Sequence, residues 1–178
     1  MTAGADALDT IVAQWHAVLP GLDTSGLSVL GRIQRVAALA DPLLRPPFAR
    51  AGLASGDFDV LAALRRSGGA GLSPTDLAAA MLVTPGAATK RVDRLEAADL
   101  VTRGLVGGRD GRAKVICLTE AGRELTDRLI EQHLDAEAEL VSALSAEELV
   151  VLTGLLRRLL MAVEDRRTAS VVTEEVPR

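Results

Sequence analysis

The stretch "LSPTDLAAAMLVTPGAATKRVDRLEAADL", residues 72–100, restricts the fold more than any other part of the chain. Twice it sets a hydroxyl residue directly before a proline, as Ser73–Pro74 and Thr84–Pro85. A hydroxyl at the N-cap accepts a bond from an otherwise unpaired backbone N–H, and proline at the first helical position loses no hydrogen bond. Asp76 adds a negative charge to the positive end of the first helix. Only "MLV" lies between the two predicted helices. A short helix, a tight turn and a longer helix make a helix-turn-helix. Behind it, "LVTRGLV" and "KVICL" are β-branched and alternating, which predicts two short strands. The Gly-rich turn "GGRDGRA" between them carries Arg109, Asp110 and Arg112. A helix-turn-helix followed by a hairpin with a basic tip is a winged helix.

The rest of the chain is predicted to be helical. Residues 6–19 place Leu8, Ile11, Val12, Trp15 and Leu19 at helical spacing. Residues 25–51 continue in the same way, but Pro42, Pro46 and Pro47 predict a kink or a division into two helices. "SGDFDVLAALRRSGG" is a short helix with Ser55 or Asp57 near its cap, ended by Gly68 and Gly69. Thr119 opens a long helix, and Ser145 with Glu148 has capping-box spacing for a last one. That last helix is apolar on more than one face, from Leu149 to Val163, which favours a two-fold interface with a second copy. One Trp, two Phe and no Tyr leave Leu, Val and Ala to build the core. The expected class is mainly α with a small β wing.

The net charge of −4 conceals a local contrast. Between Thr84 and Lys114 stand seven basic residues (Lys90, Arg91, Arg94, Arg103, Arg109, Arg112, Lys114) against four acids (Asp93, Glu96, Asp99, Asp110), a balance of +3. A basic face on an acidic body suits a polyanion. In a helix over 85–98, Ala88, Val92 and Leu95 form the inward stripe, while Lys90 and Arg94 share another face near Gly86 and Ala87. Small residues there let a helix approach base edges, and the cations can meet phosphates or guanine. The expected DNA-facing set is Thr84, Gly86, Ala87, Thr89, Lys90 and Arg94, with Arg109 and Arg112 from the wing. Arg91 differs, because it flanks the buried stripe. A guanidinium at such a position needs an anion, and Asp59 is the candidate.

The segments "LSPTDLAAAMLVTPGAATKRVDRLEAADLVTR", "GGRDGRAKV" and "LTEAGREL" resemble the MarR family of bacterial transcription regulators. The likeness spans residues 25 to 163. Asp99 departs from it, standing where the family usually has Gly, and predicts a looser turn after the recognition helix. Gly107 and Gly111 also depart from it at the wing. The extra N-terminal helix with its Trp is similar to the urate-responsive subgroup. That resemblance implies a pocket for an anionic aromatic ligand, urate or a related purine, lined by Trp15, Asp59 and Arg91, with Arg103 as a coupling residue. It implies a homodimeric repressor on double-stranded DNA, with Arg91 either paired simply with Asp59 or sharing it with ligand. The expected organisation is residues 1–56 as N-terminal helices on the dimerisation and ligand side, 57–118 as the winged helix-turn-helix, 119–165 as dimerisation helices and 166–178 as a flexible tail.

Other functions find less support. No Gly-x-Ser-x-Gly, P-loop or dinucleotide fingerprint is present, so no enzyme and no cofactor are expected. His16 and His133 lie on different predicted helices, and no metal is expected. No apolar run approaches the length of a membrane span, and the single Cys117 fits a reducing cytoplasm. Two alternatives stay open: a winged-helix interaction module without DNA binding, and a redox regulator acting through Cys117.

Overall fold

A computed structural model describes residues 4–54, 56–108 and 111–174, with the side chains of 106–108, 111–113 and 168–174 outside the description. It forms two compact units, residues 1–136 and 137–178, a division that does not follow the four segments expected above.

The first unit begins with α1 (Ala7–Val18) and α2 (Ser25–Leu44). Asp6 caps α1 in a reciprocal box with Asp9, and Arg32 of α2 binds both carboxylates. The helices approach closely because Gly31 leaves room for Leu8; a Cβ there would lie 2.7 Å from Leu8 Cδ1. Pro42 is accommodated inside α2, and the chain divides at Arg45 before the short α3 (Pro46–Arg50). The prolines therefore shorten and restart the helix, as their missing donors require.

The central body consists of α4 (Asp57–Arg66), α5 (Pro74–Ala80), α6 (Pro85–Ala97) and an antiparallel hairpin of β1 (Val101–Gly108) and β2 (Gly111–Leu118). Ser73 and Thr84 cap α5 and α6 through Asp76 N and Ala87 N. The N-cap of α4 is Gly56 in the left-handed region, φ 80°, which puts Asp57 beside the cap as the first helical residue. Ser55 lies outside the described residues. Val92 and Leu95 of α6 meet Val60, Leu61 and Leu64 of α4, Leu77 of α5, Val101 and Ile116 in one core, and Ala88 is buried on the same face of α6. Leu72 adds a bridge to Ile116, with bonds of 2.9 and 3.0 Å, so the hairpin gains a third extended partner just before α5.

The turn after α6 is not loosened by Asp99. Asp99 adopts φ 55°, the conformation for which glycine is usual, and Leu100 N donates to Leu95 O at 2.9 Å. Asp tolerates this region better than most side chains do. Thr119 then fastens α7 (Glu120–Val141) to the same turn, its hydroxyl donating to Asp99 O and accepting from Gly122 N. Phe58 and Ala62 of α4 pack with Leu129 of α7 in a second core, joined by Phe48 of α3.

In the second unit, α8 (Ala146–Glu174) starts at Ser145, whose hydroxyl accepts from Glu148 N. Residues 166–174, expected as tail, continue the helix. No proline or glycine interrupts them; the next breaker is Pro177. Among the described residues, no helix is long and apolar enough to cross a membrane.

Candidate DNA interface and adjoining cavity

The helix-turn-helix holds α6 by its apolar stripe and leaves its opposite face open. Thr84, Gly86, Thr89 and Lys90 are exposed, and Ala87 is half-buried. Thr89 turns its hydroxyl back to Pro85 O at 3.0 Å. This back-bond uses its donor and leaves its oxygen outward. Small residues at the start of α6 and the uncovered Lys90 form a face able to enter a groove. Arg109 lies outside the described residues, as does the side chain of Arg112.

Arg94 has a partner that sequence reasoning missed. Its Nη2 donates to Asp57 Oδ1 at 2.5 Å, and its Nε lies 3.4 Å from Oδ2. The Asp57 side chain is 4% exposed, while Arg94 keeps 47% of its own. The hydrogen bond from the guanidinium to Asp57 raises the Arg94 pKa further above the ordinary arginine range. Arg94 is thus first a link between α6 and α4, with one edge left toward solvent. Helical geometry held the signal: Arg94 is three residues after Arg91 and four after Lys90, so it borders both their faces.

Arg91 does turn inward. Its Nη1 donates to Gly56 O at 3.2 Å and to Asp59 Oδ2 at 3.3 Å, with the guanidinium laid over Gly56. The Arg91 side chain is 21% exposed and that of Asp59 is 59% exposed. Gly56 and Asp59 also line a cavity of about 330 Å³ with Arg45, Phe48, Leu53, Phe58 and His133. Phe48 and Phe58 stack there with ring centres 4.3 Å apart.

The other two expected pocket residues lie elsewhere. Trp15 is 45% exposed on α1 and is absent from the lining of this cavity; α1 packs against α2 instead. Arg103, at the start of β1, donates to Asp93 at 2.5 Å and to Glu96, both on α6. The Asp93 hydrogen bond, ahead of the charges of Glu96 and Asp93, raises its pKa. Arg103 therefore ties the hairpin to α6 and borders a groove of about 610 Å³ with Thr89 and Lys114. Cys117 is half-buried beside Gly71. Among the described residues, no group of three or more potential ligands could hold a metal ion.

Comparison with known proteins agrees with this geometry. A family model described as "MarR family" matches residues 51–113, which hold α4, the helix-turn-helix, β1 and the start of β2. The HTH-type transcriptional regulator PecS of Dickeya dadantii (strain 3937) is 37% identical over 149 residues, covering 83% of this chain and 89% of that protein. A mutant MarR from E. coli, solved in complex with operator DNA, superimposes with a TM-score of 0.64 at 28% identity, over 82% of this chain and 97% of that one. A MarR family protein of Mycobacterium tuberculosis, solved in complex with DNA, gives 0.58 at 27% identity over 74% and 96%. On the strength of the matched helix-turn-helix and of the extent of the PecS match, the chain belongs to the MarR family of DNA-binding transcriptional regulators.

Proposed function

We propose that the chain acts as a homodimeric repressor released from a pseudo-palindromic operator by a small anionic aromatic compound, urate or a related purine. The observation that carries this is the position of Arg91. It belongs to α6, yet its guanidinium rests on Gly56 and Asp59, two residues of the aromatic-lined cavity. An anion entering there competes with Asp59 for Arg91, and stacked Phe48 and Phe58 offer a planar surface to a ring. A cavity of about 330 Å³ falls in the range of small-molecule sites. Phe48 and Phe58 take the aromatic role expected of Trp15. Drawing Arg91 away from Asp59 tilts α6 and disturbs half-sites spaced by one helical turn, about 34–36 Å.

Dimerisation is supported by apolar surface that a single copy leaves bare. On α2, Val29, Val36 and Leu39 are more than half exposed, and α2 has no fully buried residue. On α8, Val150, Leu155, Leu160 and Met161 are likewise open. Two-fold pairing would cover such stripes. The DNA face comprises Thr84, Gly86, Ala87, Thr89 and Lys90, with the wing arginines Arg109 and Arg112.

The test is fluorescence anisotropy on duplex DNA from upstream of the chain's own gene, in a salt series with and without urate. Tight, salt-dependent binding relieved by urate is expected. Binding that urate and related purines leave unchanged would remove the ligand from the proposal, and absence of binding at low salt would remove the repressor.

A further inference from the structure

We propose that Asp57 is a positioning residue for DNA binding, holding α6 at its working angle through Arg94. The proposal rests on α6 being the helix that reads DNA. The Asp57 carboxylate is nearly sealed from solvent, yet it meets three donors: Arg94 Nη2 at 2.5 Å, Arg94 Nε at 3.4 Å and Ala54 N at 2.9 Å. The carboxylate thus joins two different things, the backbone of the turn before α4 and a side chain of α6. A buried carboxylate is costly unless hydrogen-bonded and paired, so this position tolerates neither a lost partner nor a displaced one.

The start of α4 grips α6 a second time, one helical turn earlier. Gly56 O and Asp59 take Arg91, while Asp57 takes Arg94. Two polar attachments along one side of the helix resist its tilting against α4, in addition to the packed stripe and the Arg103 bonds. The two contacts are unequal. Arg91–Asp59 is long and open on the Asp59 side, whereas Arg94–Asp57 is short, two-pointed and buried on the carboxylate side. The first is suited to exchange and the second to act as the pivot. Ala54, Gly56 and Asp59 also line the aromatic cavity, so whatever fills it presses on the start of α4 that carries both attachments.

Positioning by Asp57 and phosphate contact by Arg94 make different predictions for salt dependence. A lost phosphate contact lowers the slope of log affinity against log salt by about one, while a lost positioning contact weakens binding at constant slope. The experiment measures anisotropy of the full chain on the upstream duplex at several salt concentrations, with the active fraction fixed by stoichiometric titration. Asp57→Asn keeps an acceptor for Ala54 N and removes the charge. Arg94→Lys keeps the charge and removes the two-point geometry. Each is expected to weaken binding about tenfold without changing the slope, a loss comparable to other single-contact changes. The double variant is expected to bind no more weakly than either single one.

Wild-type affinity in the folded fraction of Asp57→Asn would overturn the proposal, even if its melting temperature fell, since that is what a merely structural residue gives. Losses that add in the double variant would overturn it as well. Should Asp57→Asn not fold, Arg94→Lys decides by itself: wild-type affinity overturns positioning, and a tenfold loss at constant slope upholds it. Failure of the unaltered chain to bind is a separate result, which takes down the reading of α6 together with this proposal.

Discussion

Gly122 on α7 lies directly against the carbonyl of Leu100: a Cβ at Gly122 would stand 1.9 Å from that oxygen and 2.9 Å from the carbonyl carbon. Thr119, three residues earlier, donates to Asp99 O in the same turn, so α7 begins pressed onto the end of α6. The obstacle is backbone, which cannot rotate away as a side chain can. Gly122→Ala is therefore expected to destabilise the fold by about 3 kcal/mol, the upper range for overpacking. Urea unfolding would measure it, and a loss below about 1 kcal/mol would mean that the α6–α7 corner gives way easily.

Leu82, in the turn between α5 and α6, has φ 55° and is 90% exposed. A leucine in this conformation carries steric strain and, here, makes no compensating burial. Leu82→Gly is expected to stabilise the chain by about 1 kcal/mol, after allowance for glycine's greater freedom when unfolded. Asp99→Gly, at the same φ, should gain less because Asp is better tolerated there. Denaturant midpoints of the two variants would rank them.

Much of this architecture is legible in local chemistry. Ser73–Pro74 and Thr84–Pro85 specify two helix starts without reference to the rest of the fold, and Ala88, Val92 and Leu95 mark the buried stripe. The inward turn of Arg91 follows from the same periodicity. What escaped are contacts between distant segments. Nothing near Arg94 in the chain names Asp57, and the helical wheel leaves Arg94 between the exposed and α4-facing sides. The stack of Phe48 on Phe58 joins two helices across a turn, so neither residue announces it. The resemblance groups Trp15 with Asp59, whereas α1 packs on α2. Arg103 likewise followed the resemblance, and two carboxylates of α6 claim it.

Lys90 stands on the exposed side of α6 and takes part in no ion pair among the described residues. Its charge is available to a phosphate without first breaking a bond. Lys90→Ala is expected to weaken DNA binding at all sequences and to reduce the salt slope by about one. A change confined to one operator sequence would assign Lys90 to a base instead.

Acid should reveal the Arg65–Asp127 link between α4 and α7. Arg65 donates from Nε at 2.6 Å and from Nη2 at 3.1 Å, and these bonds hold the Asp127 carboxyl below its ordinary pKa of 3.8. A carboxyl depressed in the folded state stabilises it above the unfolded pKa, and that contribution is lost as pH falls through the folded value. Melting temperature should fall as pH drops below the ordinary carboxylate value of 3.8, and Arg65→Ala should make that fall shallower while leaving the neutral-pH value nearly unchanged, as the pair is exposed. An identical acid profile in the variant would assign the loss to other carboxylates, among them Asp6, which the backbone N–H of Asp9 and then Arg32 also hold low.

Gly56 offers a way to test the exchangeable contact without touching either charged partner. Its φ of 80° disfavours any side chain, and a Cβ there would stand 2.2 Å from Arg91 Cζ. The guanidinium is the far end of a flexible chain, so Gly56→Ala should fold, at a cost of about 1–2 kcal/mol from the backbone alone. Arg91 must then leave its seat between Gly56 O and Asp59. If the ligand acts by competing for that seat, the variant has already performed the ligand's work. Its DNA affinity should fall toward that of the urate-bound wild type, and further urate should change it little. Anisotropy titrations of both proteins would settle the point. Wild-type affinity with a full urate response would place the ligand's action outside the Arg91–Asp59 contact.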